Sequence, residues 1–287
     1  MNYFKNGFSQ EKGSKFIITI IILLMTTFVV SHRIIIFAAE NNIKSIVKEG
    51  DDLMGKRVLD SYEKALVKYK SALSQEPNNI DYMIKAANAL NHMMRVMTNG
   101  NAVKIDGTTQ DNEKNKSIWS KYGTEAVKYA ETAVKKRPDD QDALCAYAES
   151  YMYFSSSYGI IQAILKGAAG QYKDNAFALI KKFPKAEEAV GDVYMGAFYI
   201  AAPWPLSDAG ESEKHIKKVV ELFPVSVGGH YYAAIIAIKG KNYETAEKEL
   251  HFVLDNECTM GPEHDYCGFL KDQAKKGLAI IGEKIKR

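Results

Sequence analysis

Cysteine is nearly absent from this 287-residue chain: Cys145, Cys258 and Cys267 are the whole set. Three thiols cannot form the closed disulfide framework that holds small secreted domains together, so stability has to come from a packed core. Cys145 sits in an apolar helical pattern and reads as a small buried hydrophobe. Cys258 and Cys267 flank Gly261-Pro262, and a bridge across that turn is open to them in an oxidising compartment. With His264 they gather two thiols and an imidazole within a short stretch, but a fourth ligand is missing and the spacing matches no common structural zinc pattern. No metal or cofactor is expected.

An excess of one charge is also lacking. Thirty-eight basic residues face 35 acidic ones, for a formal net charge of +3, and Lys and Arg are scattered along helical patterns instead of forming a block. That is a solvated polar face, and it argues against a nucleic-acid partner. The familiar catalytic signatures are missing too. There is no nucleophile elbow, metalloprotease helix or protease-like thiol, and Gly167-Ala168-Ala169-Gly170 has no preceding strand that would make it a phosphate loop. The acidic pairs Asp139-Asp140 and Glu187-Glu188 fall at expected helix starts, where they complement the dipole. His230 and His251 fall on the two helices of one expected hairpin, and paired half-buried histidines are more often structural than catalytic. The chain is not expected to be an enzyme.

Hydrophobic runs of membrane length are scarce, with one ambiguous case. Phe16 to Val30 carries no charge and follows Lys5, Lys12 and Lys15. Fifteen helical residues reach only about 22 Å, short of the ~30 Å hydrocarbon core, which suits a signal peptide. Apolar character then resumes at Ile34 to Ala39, and a helix continuing that far would be long enough to cross, with Arg33 snorkelling. Residues 1–40 are therefore expected to be a signal peptide or a membrane anchor, with the body on the non-cytoplasmic side because the N-terminus is basic. No Cys follows the apolar run, so lipid anchoring is disfavoured.

What is abundant is helical pattern. From about Val58 onward, apolar residues recur at helical spacing between short Pro, Gly, Asn and Asp breaks, with hardly any strand-like alternation, which predicts an all-α body over residues 41–287. Four junctions stand out: Glu76-Pro77-Asn78-Asn79, Arg137-Pro138-Asp139-Asp140, Phe183-Pro184-Lys185 and Phe223-Pro224-Val225. Proline cannot continue the first helix but suits the opening of the next, and Asn or Asp can cap its free amides. Ala65, Tyr69 and Ala72 precede Pro77 at the same offsets at which Ala126, Ala130 and Ala133 precede Pro138. These offsets resemble the second helix of a tetratricopeptide (TPR) repeat, where small residues let paired helices approach closely. A final hairpin runs from Gly228 through Gly240 to Val253, and Cys258 takes the proline's place one 34-residue repeat after Pro224. The longer intervals imply insertions near 99–115 and 201–208. The polar Asn99 to Asn115 stretch, without aromatics, reads as a disordered insertion.

Ile164-Leu165-Lys166-Gly167, Tyr194-Met195-Gly196-Ala197-Phe198-Tyr199 and Pro203-Trp204-Pro205-Leu206, followed by that hairpin, resemble a divergent TPR family. It includes the T component of tripartite ATP-independent periplasmic (TRAP) transporters, and regulators of microtubule dynamics are similar in architecture. The resemblance spans roughly Tyr122 to Ile281. It implies an exported helical superhelix or closed bundle that docks a protein and holds a hydrophobic ligand in a central cavity.

Two functions follow as expectations. One is a non-enzymatic scaffold that recruits a protein partner at or beyond a membrane. The other is a transport-accessory module with a hydrophobic small molecule in an apolar cavity reached past Trp204 and lined by Tyr194, Phe198 and Tyr231. Aromatics at helical spacing usually fill interhelix grooves, but Trp204, held between two prolines in a loop, is placed to close a pocket or anchor a partner.

Overall fold

The structure is a computed structural model and describes residues 40–258 and 261–285. The Phe16–Val30 run, and with it the choice between signal peptide and anchor, lies outside the described residues. Among those described, no helix is long and apolar enough to cross a membrane. The chain divides into compact units 1–48 and 49–287. A first helix, α1, covers 40–54; within the first unit Lys44 is ion-paired with Glu40. The rest of the fold belongs to the second unit.

Eleven of the helices in that unit follow in order: α2 (Leu59–Gln75), α3 (Ile80–Thr98), α4 (Glu113–Ile118), α5 (Thr124–Lys136), α6 (Gln141–Ser156), α7 (Ile160–Leu165), α8 (Ala168–Lys182), α9 (Val190–Ala201), α10 (Ala209–Leu222), α11 (Val227–Lys239) and α12 (Tyr243–Asp255). A 3₁₀ turn, Pro262–Tyr266, leads into α13 (Cys267–Ile285). No strand occurs among the described residues. Successive long helices pack as antiparallel neighbours, α2 on α3, α3 on α5, α5 on α6 and onward to α12 on α13. The fold is an all-α stack of TPR-type hairpins.

The prolines explain the punctuation. Glu76, Arg137, Phe183 and Phe223 each end a helix with φ between −127° and −137° and ψ between 63° and 75°. This is one geometry repeated four times, because the ring of the following proline excludes the helical region for the residue before it. At three junctions the next helix is capped two residues past the proline, where Asn79, Asp140 and Ser226 accept the amides of Tyr82, Ala143 and Gly229. The third junction breaks this rule. Glu187, Glu188 and Ala189 all have positive φ, and Ala189 offers α9 no side-chain cap. For L-residues each such conformation costs about 1–2 kcal/mol.

The small residues sit where the offsets put them. Ala65, Ala72, Ala126, Ala130 and Ala133 are fully buried, and the last two pack with Ala87, Ala143 and Ala146 between α3, α5 and α6. Such an interface has no room for a longer side chain. Ala126→Leu is expected to cost about 1–3 kcal/mol in urea denaturation, whereas an unchanged midpoint would mean that α5 does not make this close approach.

The polar stretch after α3 does not form a disordered loop. Its short apolar residues Ala102, Val103 and Ile105 are buried in the core formed by α9 to α13. Its own amides close the backbone: Gln110 donates to the Ala102 carbonyl, Asn115 to the Gln110 carbonyl, and Asp106 accepts from the Thr108 amide and hydroxyl. Gly100, at φ 63°, lies so close to Tyr266 that a Cβ there would stand 2.5 Å from the ring. The composition is that of a disordered insertion, but three apolar side chains and satisfied amides order it. The other insertion, 201–208, is a turn closed by the Leu206 amide on the Pro203 carbonyl, after which Asp208 caps α10.

Candidate functional site

In a hairpin stack the first helix of each pair faces inward, and this is the face such proteins use for binding. Here α3, α6, α9 and α11 supply that face, and two segments of the chain lie across it. One is the 99–112 loop and the other is Pro262–Tyr266, which packs on α3. The second is tied down by Asp265, which accepts from the Tyr62 hydroxyl at 2.7 Å and is paired with His92 Nδ1 at 2.6 Å.

Between these segments, α6, α7, α8 and α9 a cavity of about 150 Å³ remains. Its aromatic wall is Tyr172, Tyr194, Phe198, Tyr232 and Tyr266. Tyr172 stacks on Phe198 at 5.8 Å between centroids and donates its hydroxyl to the Tyr194 carbonyl. A few polar groups, among them Asn101, Asp111 and Ser156, stand at the loop side. A mostly apolar hollow with a few convergent polar groups is the usual form of a binding pocket. Over it lies α7, between Gly159 and Gly167, both at positive φ, with Ile160 and Ile164 toward the cavity and Ile161 and Leu165 exposed.

Of the residues expected at a site, Tyr194 and Phe198 line this cavity. Tyr231 does not. It is fully buried in the core, with its hydroxyl donated to the Val103 carbonyl at 2.7 Å, and its neighbour Tyr232 reaches the cavity instead. Trp204 is not on the wall either: held between Pro203 and Pro205, the residue is 87% exposed. Tyr172 and Tyr266 were not singled out from sequence. Tyr172 follows the Lys166-Gly167 string by one helical turn and a half, but nothing in the sequence marks Tyr266, which reaches the cavity only through long-range packing.

Behind the aromatic wall lies a second, smaller chamber of about 30 Å³ with a different chemistry. It is lined by Arg95, Glu149, Glu187, Glu188 and Glu263. Arg95 donates through Nε and Nη2 to the two oxygens of Glu149, both at 2.5 Å, and lies 3.7 Å from Glu187 and 3.8 Å from Asp265. Glu263 accepts from the Ser226 hydroxyl and the Gly228 amide. Glu188 is 9% exposed, and its Oε2 has no hydrogen-bond partner. Burial, and after it the carboxyl of Glu263, pushes the Glu188 carboxyl above the usual carboxylate range. The Glu187-Glu188 pair was expected to serve a helix dipole; the left-handed turn carries Glu188 inward instead, while Glu187 borders the chamber with its side chain 38% exposed.

The remaining polar clusters pair carboxylates with imidazoles or a lysine. Asp192 accepts from Lys218 and pairs with His215, and His230 pairs with Glu249 and the Pro224 carbonyl, not with His251. Neither these imidazoles nor His92 is hydrogen-bonded to a Ser, Thr or Cys side chain among the described residues, as nucleophilic catalysis requires. Burial pushes the Cys145 thiol far above its ordinary range, away from reactivity. Cys258 and Cys267 are joined in a disulfide with Cα atoms 5.8 Å apart, which removes both as thiolate ligands. No group of three or more His, Cys, Asp or Glu among the described residues is arranged to hold a metal ion.

No family model and no curated protein matches this sequence. Among solved structures it is similar to TTC0263, a thermophilic TPR protein of Thermus thermophilus, with 13% identity and a TM-score of 0.56 over 83% of this chain and 99% of that one. The TPR2AB domain of yeast Sti1, solved in complex with pHSP90, aligns at 15% identity over 82% of this chain and 99% of its own, but with a TM-score of 0.30. The first likeness shows a TPR fold and nothing further about activity; the second is too distant in geometry to support an argument.

Proposed function

We propose that this chain is a non-enzymatic binding module, a TPR-type scaffold that engages a protein partner by taking one of the partner's side chains into the aromatic cavity. The observation that carries this reading is the state of the inner face. The surface on which such stacks bind extended segments is covered by the chain's own 99–112 loop and Pro262–Tyr266, leaving a cavity sized for one anchor. Binding energy in interfaces concentrates at such anchors, and the exposed Ile161 and Leu165 of α7 give the partner an apolar rim to pack on. The basic, then apolar, N-terminal sequence and the Cys258–Cys267 disulfide favour a non-cytoplasmic setting.

The test is site-specific photocrosslinking in cells with the full-length chain. A probe at Ile161 should yield a protein adduct that a probe at Val67, equally exposed on α2, does not. Ala197→Phe, which fills the cavity from α9, should reduce that adduct at least tenfold, and Trp204→Ala should leave it unchanged. The same cavity also suits a hydrophobic small molecule, as the transporter-accessory resemblance implies. A molecule released from the purified chain in native mass spectrometry, with no protein adduct at Ile161, would overturn the scaffold reading in favour of that one.

A further inference from the structure

The cavity and the acidic chamber share six wall residues: Gly100, Met152, Val193, Tyr194, Tyr232 and Tyr266. One is aromatic and apolar, while the other is ringed with carboxylates, so a ligand that reaches past these shared residues meets two chemically distinct ends. We infer that the ligand of this site is an ammonium group on an apolar stem, with the stem against Tyr172, Tyr194 and Phe198 and the cationic head between Glu188 and Glu263.

The charge inventory supports this assignment. Arg95, the one cation on the chamber wall, has both of its short contacts on Glu149. Neither Glu188 nor Glu263 is ion-paired with a Lys, Arg or His among the described residues. The two carboxyls nevertheless face one another: a Cβ at Gly261 would stand 2.6 Å from Glu263 Oε2 and 3.2 Å from Glu188 Oε2. Glu263 spends one oxygen on Ser226 and Gly228, and Glu188 Oε2 is buried and accepts no hydrogen bond of ordinary length, although Ser226 and the Glu263 carboxyl lie close enough to act on it. Two buried carboxyls that face one another cannot both ionise without a cation between them, and a polar chamber of this size holds one small donor group. An ammonium brings three N–H donors and the missing charge. Aromatic faces next to the chamber suit the same ligand, since cations are drawn to them.

Two sources present this chemistry, the lysine side chain of a partner protein and a free amphiphilic amine. The inference rests on the cavity being a binding site, and the experiment separates the two claims. Calorimetric titration of the full-length chain at pH 8 would compare n-hexylammonium, hexan-1-ol and hexanoate. Hexylammonium is expected to bind at least tenfold more tightly than hexanol, and hexanoate more weakly than either. Glu188→Gln and Glu263→Gln should each bring hexylammonium to within about threefold of hexanol while leaving hexanol itself unchanged, which also reports an intact fold. Equal binding of hexylammonium and hexanol to the unaltered chain would overturn the ammonium assignment and leave the cavity reading standing. Failure of all three to bind would overturn both. Nα-acetyl-lysine methylamide, run beside hexylammonium, separates the sources: comparable affinity points to a lysine side chain, and a tenfold or greater preference for hexylammonium to a free amphiphile.

Discussion

Arg95→Met is expected to lower stability by about 3–5 kcal/mol, and Arg95→Met combined with Glu149→Leu to restore most of that loss. The reason is the location of the charges. Arg95 is 6% exposed and Glu149 4%, and the guanidinium also lies within 3.8 Å of Asp265, whose side chain is 2% exposed. Burial opposes the charge on Arg95, and the field and hydrogen bonds of Glu149, with Glu187, outweigh it and keep the guanidinium firmly protonated. Removing the cation leaves the buried Glu149 carboxyl without the partner that holds both of its oxygens, and that uncompensated group accounts for most of the expected loss. Replacing the pair together removes the stranded charge as well as the attraction, and apolar replacements of similar size are often neutral. The double-mutant cycle by urea denaturation therefore distinguishes a buried ion pair from simple loss of packing. A single-variant cost below about 1 kcal/mol would mean that Glu149 behaves as a solvent-screened partner, and that Arg95 and Glu149 are not the buried ion pair described above.

The parts of the fold that were legible in the sequence depend on local chemistry. A proline dictates the conformation of the residue before it wherever it occurs, so four Pro junctions yielded four helix ends of one geometry. Alanine spacing within one helix carries across to the partner helix because close approach requires small residues at fixed intervals, and Ala126, Ala130 and Ala133 are buried accordingly. The candidate site was legible only in part for the same reason. Tyr194 and Phe198 share one helix and point the same way, so their pairing could be read from spacing. Tyr231 and Tyr232 are adjacent, and which of them faces the cavity depends on α11's rotation against the 99–112 loop, which no local rule supplies. The acidic chamber could not be seen at all. It draws on α3, α6, the α8–α9 junction and the turn before α13, segments far apart in sequence, and its key carboxylates, Glu187 and Glu188, looked like ordinary helix-start residues.

The 99–112 loop is the other feature that composition misrepresented, and it gives the second large effect: Ile105→Ala is expected to cost about 2–5 kcal/mol, as much as truncation in the middle of a helix. Ile105 is 4% exposed inside the core of α9 to α13, and its amide donates to Gln273 Oε1 of α13 at 3.0 Å. At Gly277 the same helix comes so close that a Cβ would stand 3.0 Å from Ile105 Cγ1 and 2.8 Å from Leu250 Cδ1. Shortening Ile105 opens a hole beneath α13 that neither the loop nor the helix can close without breaking the Gln273 bond. Thr108→Ala, at the exposed tip where the hydroxyl bonds only to Asp106, should cost about 0.5 kcal/mol or less. That contrast in thermal or urea denaturation tests whether the loop is part of the core, since a loosely attached insertion would make both changes nearly silent. Gly100, Asn101, Thr109 and Asp111 of the same loop also line the cavity, so Ile105→Ala should weaken hexylammonium binding at temperatures where the chain remains folded. The loop wall would lose its anchor before the helices lose theirs, and binding would then fail at a lower denaturant concentration than helicity does.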